Sequence, residues 1–205
     1  RRGTQSNLGR PYSFFHQYRP FKPMTNLPPM SAPSDWIMQQ AQSWPDGAKI
    51  LDFASGRGRH CCALDRAFPG RFSFLAIDRD DSALAALKAS CPSIKTCQFD
   101  LEDATLWSFA EDGFDIVIVA NYLYRPRLGD LFGLVRQGGY LAYETFATGN
   151  EAFGRPSNPD FLLQDGELAA RLPDDFTILD YFHGKIDQPK PAIIQRLSAK
   201  RQIGK

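Results

Sequence analysis

Short, nearly continuous apolar runs recur along the chain, separated by stretches with helical composition or spacing. The runs at 48–53, 72–78, 94–99, 114–120 and 140–146 are brief, rich in Ile, Val, Leu and Phe, and bounded by turn residues. That is the pattern of strands covered on both faces, as in a parallel sheet. Between them, 58–68, a stretch from 81 that stops before Cys91-Pro92, and 128–136 read as helices, the last meeting Gly138-Gly139 as a natural stop. Upstream, Ser34 is placed to cap a short helix whose Trp36, Ile37, Gln40 and Trp44 form one face, ended by Pro45-Asp46-Gly47. Past strand five, 164–172 reads as a helix, and two further β-rich runs follow at 176–182 and 192–199. Their link is too short for a crossover helix, so they pair as an antiparallel hairpin. The expected architecture is α/β: a doubly wound, mostly parallel sheet of seven strands with an antiparallel C-terminal hairpin. In such sheets, ligands bind beyond the carboxyl ends of the strands.

With 205 residues the chain has the length of one full-sized domain, and its hydrophobic and charged fractions, 43% and 23%, argue against wholesale disorder. A net charge of +1 makes no global case for nucleic acid or an anionic membrane. No stretch approaches the roughly 18 apolar residues of a membrane span. The four cysteines, Cys61, Cys62, Cys91 and Cys97, form no C-x-x-C pair and read as reduced thiols of a cytoplasmic protein. Residues 1–34 differ from the rest. They carry five Arg or Lys, six Pro and several aromatics, but no Asp or Glu. Proline removes a backbone donor and blocks helix, so this part reads as a basic, Pro-rich extension to a domain at 35–205. A tail lying over the core and a lid on the substrate side are its two readings.

The candidate chemistry lies at the strand ends. Leu51-Asp52-Phe53-Ala54-Ser55-Gly56-Arg57-Gly58-Arg59-His60 is a strand, a glycine turn and a helix start in ten residues. Glycine lets a ligand approach the backbone, and the first helical N–H groups are unsatisfied. Asp52, Asp78 and Asp100 sit at the tips of three successive strands, and Asp78 lies 20 residues beyond Gly58, the offset at which an acid meets ribose hydroxyls. The third glycine of a dinucleotide loop is missing, and Asp52 would repel phosphates. It would attract an ammonium or a sulfonium, which points to S-adenosylmethionine rather than a nicotinamide dinucleotide.

Five segments in order carry a resemblance. The glycine turn, Ala76-Ile77-Asp78, Phe99-Asp100-Leu101-Glu102, 114–119 and Gln137-Gly138-Gly139-Tyr140-Leu141 resemble the motifs of class I S-adenosylmethionine-dependent methyltransferases, over roughly residues 35–200. Ala54 replaces the first glycine of that pattern. The segment 161–168 is similar to one in the tellurite-resistance and thiopurine-like small-molecule methyltransferases. The resemblance implies a Rossmann-like fold, with the cofactor held by Asp52, Ala54, Ser55, Gly56 and Gly58, by Asp78 and Arg79 at the ribose, and by Asp100, Leu101 and Asn121.

On the acceptor side, Asn121-Tyr122-Leu123-Tyr124-Arg125-Pro126 lacks the paired prolines found in many methyltransferases of nucleobase and amide nitrogens. Asn121, Tyr122, Tyr124, Arg125, Glu144 and Arg155 are the candidate acceptor-side residues, each with loop packing or solvated surface as the plainer role. The long stretch 150–161 is a candidate cover. His60 is a conceivable general base, with helix packing or capping as the plainer role, and His16 and His183 have no evident metal partners. A small-molecule acceptor is the leading expectation. RNA or protein docked by the basic N-terminal arm, and a non-catalytic scaffold that retains the fold, are the alternatives.

Overall fold

The computed structural model describes residues 30–107, 109 and 112–204. Most of the expected N-terminal extension therefore lies outside the described residues. Helix α1 (Asp35–Gln40) precedes strand β1 (Lys49–Phe53), followed by α2 (Arg59–Ala67), β2 (Ser73–Asp78), α3 (Asp81–Ser90) and β3 (Lys95–Gln98). Then come β4 (Phe114–Ala120), α4 (Leu128–Gly133), β5 (Val135–Phe146), α5 (Glu167–Ala170), β6 (Phe176–Ile186) and β7 (Ala192–Arg201). The seven strands form one sheet in the order β3-β2-β1-β4-β5-β7-β6. Strands β1 to β5 pair in parallel, whereas β7 inserts antiparallel between β5 and β6. The strand order reverses between β1 and β4, and such a switch point opens a crevice above their carboxyl ends.

Alternating side chains of the buried strands feed two cores. On one face Ile50, Phe74, Ala76, Ile116 and Ile118 pack with residues of α1, α2 and α3. On the other, Leu51, Phe53, Ile77, Val117 and Val119 pack with α4, α5 and the loop carrying Trp107. Helix α1 is tied across the sheet to β6 by Trp36 Nε1, which donates to Asp180 Oδ2 at 2.7 Å. Ser34 occupies the N-cap position, but its hydroxyl makes no cap bond. It donates instead to Glu144 Oε2 at 2.9 Å, so a tertiary acceptor replaces the expected local one.

Two expectations need correction. The helix expected to reach Arg136 ends at Gly133, and β5 starts at Val135, with Gly138 and Gly139 inside the strand rather than at a helix stop. A register shift in the β4–β5 ladder lies here, and a Cβ on Gly139 would stand 2.7 Å from Asp115 O, so the glycine serves close strand approach. The cysteines are not all reduced: Cys62 on α2 and Cys91 just past α3 are joined as a disulfide, with Cα atoms 5.9 Å apart. A separation of 29 residues hid this, because only the packing of α2 beside α3 brings the two together. Cys61 and Cys97 are free. No helix among the described residues is long and apolar enough to cross a membrane.

Candidate active site

Two neighbouring cavities open where β1, β2 and β4 end. The larger, about 400 Å³, is walled by Asp52, Ala54, Ser55 and Gly56 of the glycine turn, by Arg57, Arg59 and His60 leading into α2, and by Ala120 and Asn121, with Met30 and Ser31 across it. The smaller, about 230 Å³, is walled by Asp78, Arg79, Asp100, Leu101 and Glu102, with Phe99 and Tyr122 as aromatic sides. Ala54 and Asn121 border both.

The turn between them is rigidly built. Ser55 N donates to Ile77 O at 2.8 Å, and Gly58 N to Ser55 O at 2.9 Å. Ala54, Gly56 and Gly58 all have positive φ, at 54°, 53° and 73°. This left-handed conformation explains why the related pattern carries glycine at the first position and makes Ala54 a strained substitute. Gly58 has a second constraint, since a Cβ there would lie 2.3 Å from Leu87 Cδ1. It holds α2 against α3, and of the expected cofactor residues it alone lines neither cavity. Asn121 also has positive φ, 56°, which an asparagine tolerates better than most residues.

The three acids face different surroundings. Asp52 is 2% exposed, and its Oδ2 accepts from Cys61 N at 3.1 Å. Burial raises its pKa from 3.8 to about 6, against the lowering effect of the Cys61 hydrogen bond. A cation beside it would restore the charged form. Asp78 Oδ2 accepts from Gly56 N at 2.7 Å and Oδ1 from Asp80 N at 2.9 Å, so the turn itself orients this carboxylate while lone pairs stay open. Asp100 Oδ1 accepts from Glu102 N at 3.0 Å in a tight turn after β3. Tyr122 packs edge-on against Phe53, ring centroids 5.3 Å apart, and its carbonyl accepts from Tyr143 Oη at 2.8 Å. Burial raises the pKa of Tyr122, as do the nearby Glu102 and Asp100 charges, so the phenol stays neutral.

The expected acceptor-side set divides. Asn121 and Tyr122 stand at the cavities, but Tyr124 and Arg125 border a separate depression with Pro126, Asp160 and Phe161. Arg125 is a scaffold clamp. Its Nε and Nη2 donate to the two carboxylate oxygens of Glu167 at 2.7 and 2.8 Å, while Nη1 and Nη2 reach Asp160 O and Leu162 O. Glu144 is buried and accepts from both Ser34 and Arg196, the latter at 2.6 Å. Arg155 is exposed and borders neither cavity. Met30, Ser31, Arg57, Arg59, Phe99 and Glu102 line the cavities without having been named as site residues, and His60, weighed as a general base against helix packing, lines the larger one. For Arg59 and His60 the signal was present in their position at the mouth of the glycine turn. Nothing local marked Met30 or Ser31.

Residues 50–139 match the sequence profile of a methyltransferase domain. The matched segment runs from β1 into β5 and takes in the glycine turn, Asp78 and Asp100. The methyltransferase fold extends beyond the matched segment. Over 84% of this chain the structure superposes on TehB from Haemophilus influenzae, with a TM-score of 0.67 and 18% identity, and it spans 64% of that chain. A similar S-adenosylmethionine-dependent methyltransferase from Mesorhizobium loti gives a TM-score of 0.62 at 19% identity, covering 82% of this chain and 97% of that one. Coclaurine N-methyltransferase, solved with N-methylheliamine and S-adenosylhomocysteine, gives 0.63 at 10% identity over 82% of this chain and 69% of its own. No curated protein matches the chain in sequence. The match and the superpositions agree on a methyltransferase-like domain and fold. These likenesses leave the acceptor open.

Proposed function

We propose that this methyltransferase delivers the methyl group to a small polar molecule held in the larger cavity, with residues 35–205 as the catalytic domain. The observation that carries this reading is the segment 30–34. Met30 and Ser31 lie against the larger cavity, and the segment is fastened at two points: Arg59 Nη1 donates to Ala32 O at 3.0 Å, and Ser34 Oγ to Glu144. A cavity walled on that side by fastened backbone favours a molecule that enters whole over a macromolecule presenting one group.

The residues present suit the cofactor. In this reading Asp78 accepts from the ribose hydroxyls, Asp100 receives the exocyclic amine, and Phe99, Leu101 and Tyr122 supply apolar walls. Ala54, Ser55 and Gly56 border the methionine end, whose ammonium meets Asp52. Arg79 and Asn121 complete the two ends, and Gly58 acts through α2. Bound S-adenosylmethionine supplies an electrophilic methyl group on a sulfonium. The protein's part is alignment and the exclusion of water, which in near-attack geometry accounts for most of what such a reaction needs. The test is a screen for S-adenosylhomocysteine release against diverse small amines, thiols, hydroxyls and acids, with RNA and protein arms alongside. Turnover confined to RNA or protein would overturn the reading.

A further inference from the structure

We propose that the Cys62–Cys91 disulfide couples the redox state of this chain's thiols to its affinity for the cofactor, the oxidised form binding tighter. The proposal rests on the assignment of the two cavities above. Cys62 lies on α2, where its N–H donates to Gly58 O at 3.0 Å and the preceding Cys61 N–H holds Asp52. Cys91 closes the end of α3, its N–H donating to Leu87 O at 2.8 Å. Leu87 is fully buried and packs tightly on the glycine turn, since a Cβ on Gly58 would stand 2.3 Å from Leu87 Cδ1 and 2.9 Å from Cys61 Sγ. The other end of α3 reaches the second acid: its N-cap residue Asp80 donates its N–H to Asp78 Oδ1 at 2.9 Å. The disulfide therefore joins the helix that holds Asp52 to the helix whose start holds Asp78.

Both cysteines are buried, Cys62 at 0% and Cys91 at 5% exposure, so a change in the bond acts on packing rather than on the surface. Reduction turns a covalent contact into a van der Waals one. A close-packed interior accommodates the longer separation only if α2 and α3 shift apart, and the Leu87–Gly58 contact shifts with them. The reductant is a dithiol. One of its thiolates attacks Cys62 Sγ, and the bond between the cysteines breaks with its electron pair leaving on Cys91. Arg66 Nη2, 3.5 Å from Cys91 Sγ, favours that leaving thiolate, which then takes a proton. The second thiol of the reductant displaces Cys62 from the mixed disulfide. The dithiol ends as a cyclic disulfide, and the protein gains the two electrons and two protons that the dithiol gives up. Such coupling is reciprocal. If reduction weakens the cofactor tenfold, bound cofactor makes the disulfide tenfold harder to reduce, about 30 mV for a two-electron step.

The experiment compares the two redox forms of the full chain, with S-adenosylhomocysteine as the probe. Alkylation in denaturant should find only Cys61 and Cys97 free in the oxidised form, and all four cysteines free after dithiothreitol. Calorimetry should show the reduced form binding about tenfold weaker, within a span of roughly fivefold to thirtyfold. Cys62→Ala combined with Cys91→Ala should bind as weakly as the reduced form and ignore dithiothreitol, whereas Cys97→Ser should respond as the unaltered protein does. In dithiothreitol redox buffers, S-adenosylhomocysteine should lower the midpoint of the disulfide by about 30 mV. Near-UV circular dichroism checks that each form is folded, and reduction should lower Tm by roughly 5–15 °C. Equal affinity in both redox forms, a midpoint that ignores the ligand, or four free thiols without reductant would each overturn the coupling. Loss of binding that accompanies loss of the fold would overturn it too, leaving a purely structural staple. Failure of both forms to bind, while the thiol count changes as expected, would overturn the cavity assignment, and the coupling with it.

Discussion

Polar side chains at the ends of β1, β2 and β3 and those after β4 and near the end of β5 are used in opposite ways. At the first rim, Asp52, Asp78 and Asp100 are held by backbone N–H groups and line the two cavities. At the second, Arg125 and Glu144 are matched by side chains 42 and 52 residues away. The first set is oriented and left open; the second is consumed by the scaffold. A polar residue near a site becomes a ligand contact only if its own protein has not already satisfied it.

The comparison can be broken at its strongest point with Asp78→Ala. Calorimetry should show S-adenosylhomocysteine binding about a hundredfold weaker, the loss of two charge-assisted hydrogen bonds. Unchanged affinity would mean that this rim is not the cofactor's. The opposite test is Arg125→Met, which should cost about 2–3 kcal/mol of stability, a fall in Tm of roughly 4–12 °C for a chain of this size, with S-adenosylhomocysteine affinity unaltered. A stable variant with impaired turnover would return Arg125 to the acceptor side.

Asp52 gives a pH signature. Its folded pKa of about 6 lies above the ordinary 3.8, so the free folded protein holds this proton more tightly than the unfolded chain does. The group therefore reduces stability as pH rises from near 4 to 6, and an ammonium ligand must displace its proton below pH 6. Affinity for S-adenosylhomocysteine should fall by up to about tenfold per pH unit as pH drops below 6, a slope that Asp52→Asn removes. The smallest effect sharpens the account of the glycine turn. Ala54→Gly should relieve the left-handed strain and stabilise the protein by about 0.5–1 kcal/mol, after the added flexibility of the unfolded chain. A melting curve that falls instead would show that the Ala54 methyl group packs usefully between the cavities.

Much of this was legible along the chain because it is local. Apolar runs a few residues long mark strands whichever neighbours they find, and the acids at their tips follow from the same short segments. Asp78 and Gly56 are 22 residues apart, yet a single strand-turn-helix-strand unit brings them together. The start of β5 was not legible: the helix-forming composition of 128–136 competes with a strand ladder that draws Val135 into pairing with Phe114. Nor was the Arg125 clamp, because a loop arginine looks identical whether its partner is a substrate or Glu167. The placing of Met30 and Ser31 against the larger cavity depends on Glu144 and Arg59 meeting a segment that carries no motif.

The sequence by itself determined the sheet, its switch point and the acids at the strand tips, because periodicity, glycine conformation and strand-end chemistry act over a few residues. Only the tertiary structure decided which charges remain available, which cysteines pair and which segment lies against the larger cavity. Those outcomes depend on contacts between residues up to 110 positions apart, and folding sets them by burial and hydrogen-bond satisfaction that no local pattern records.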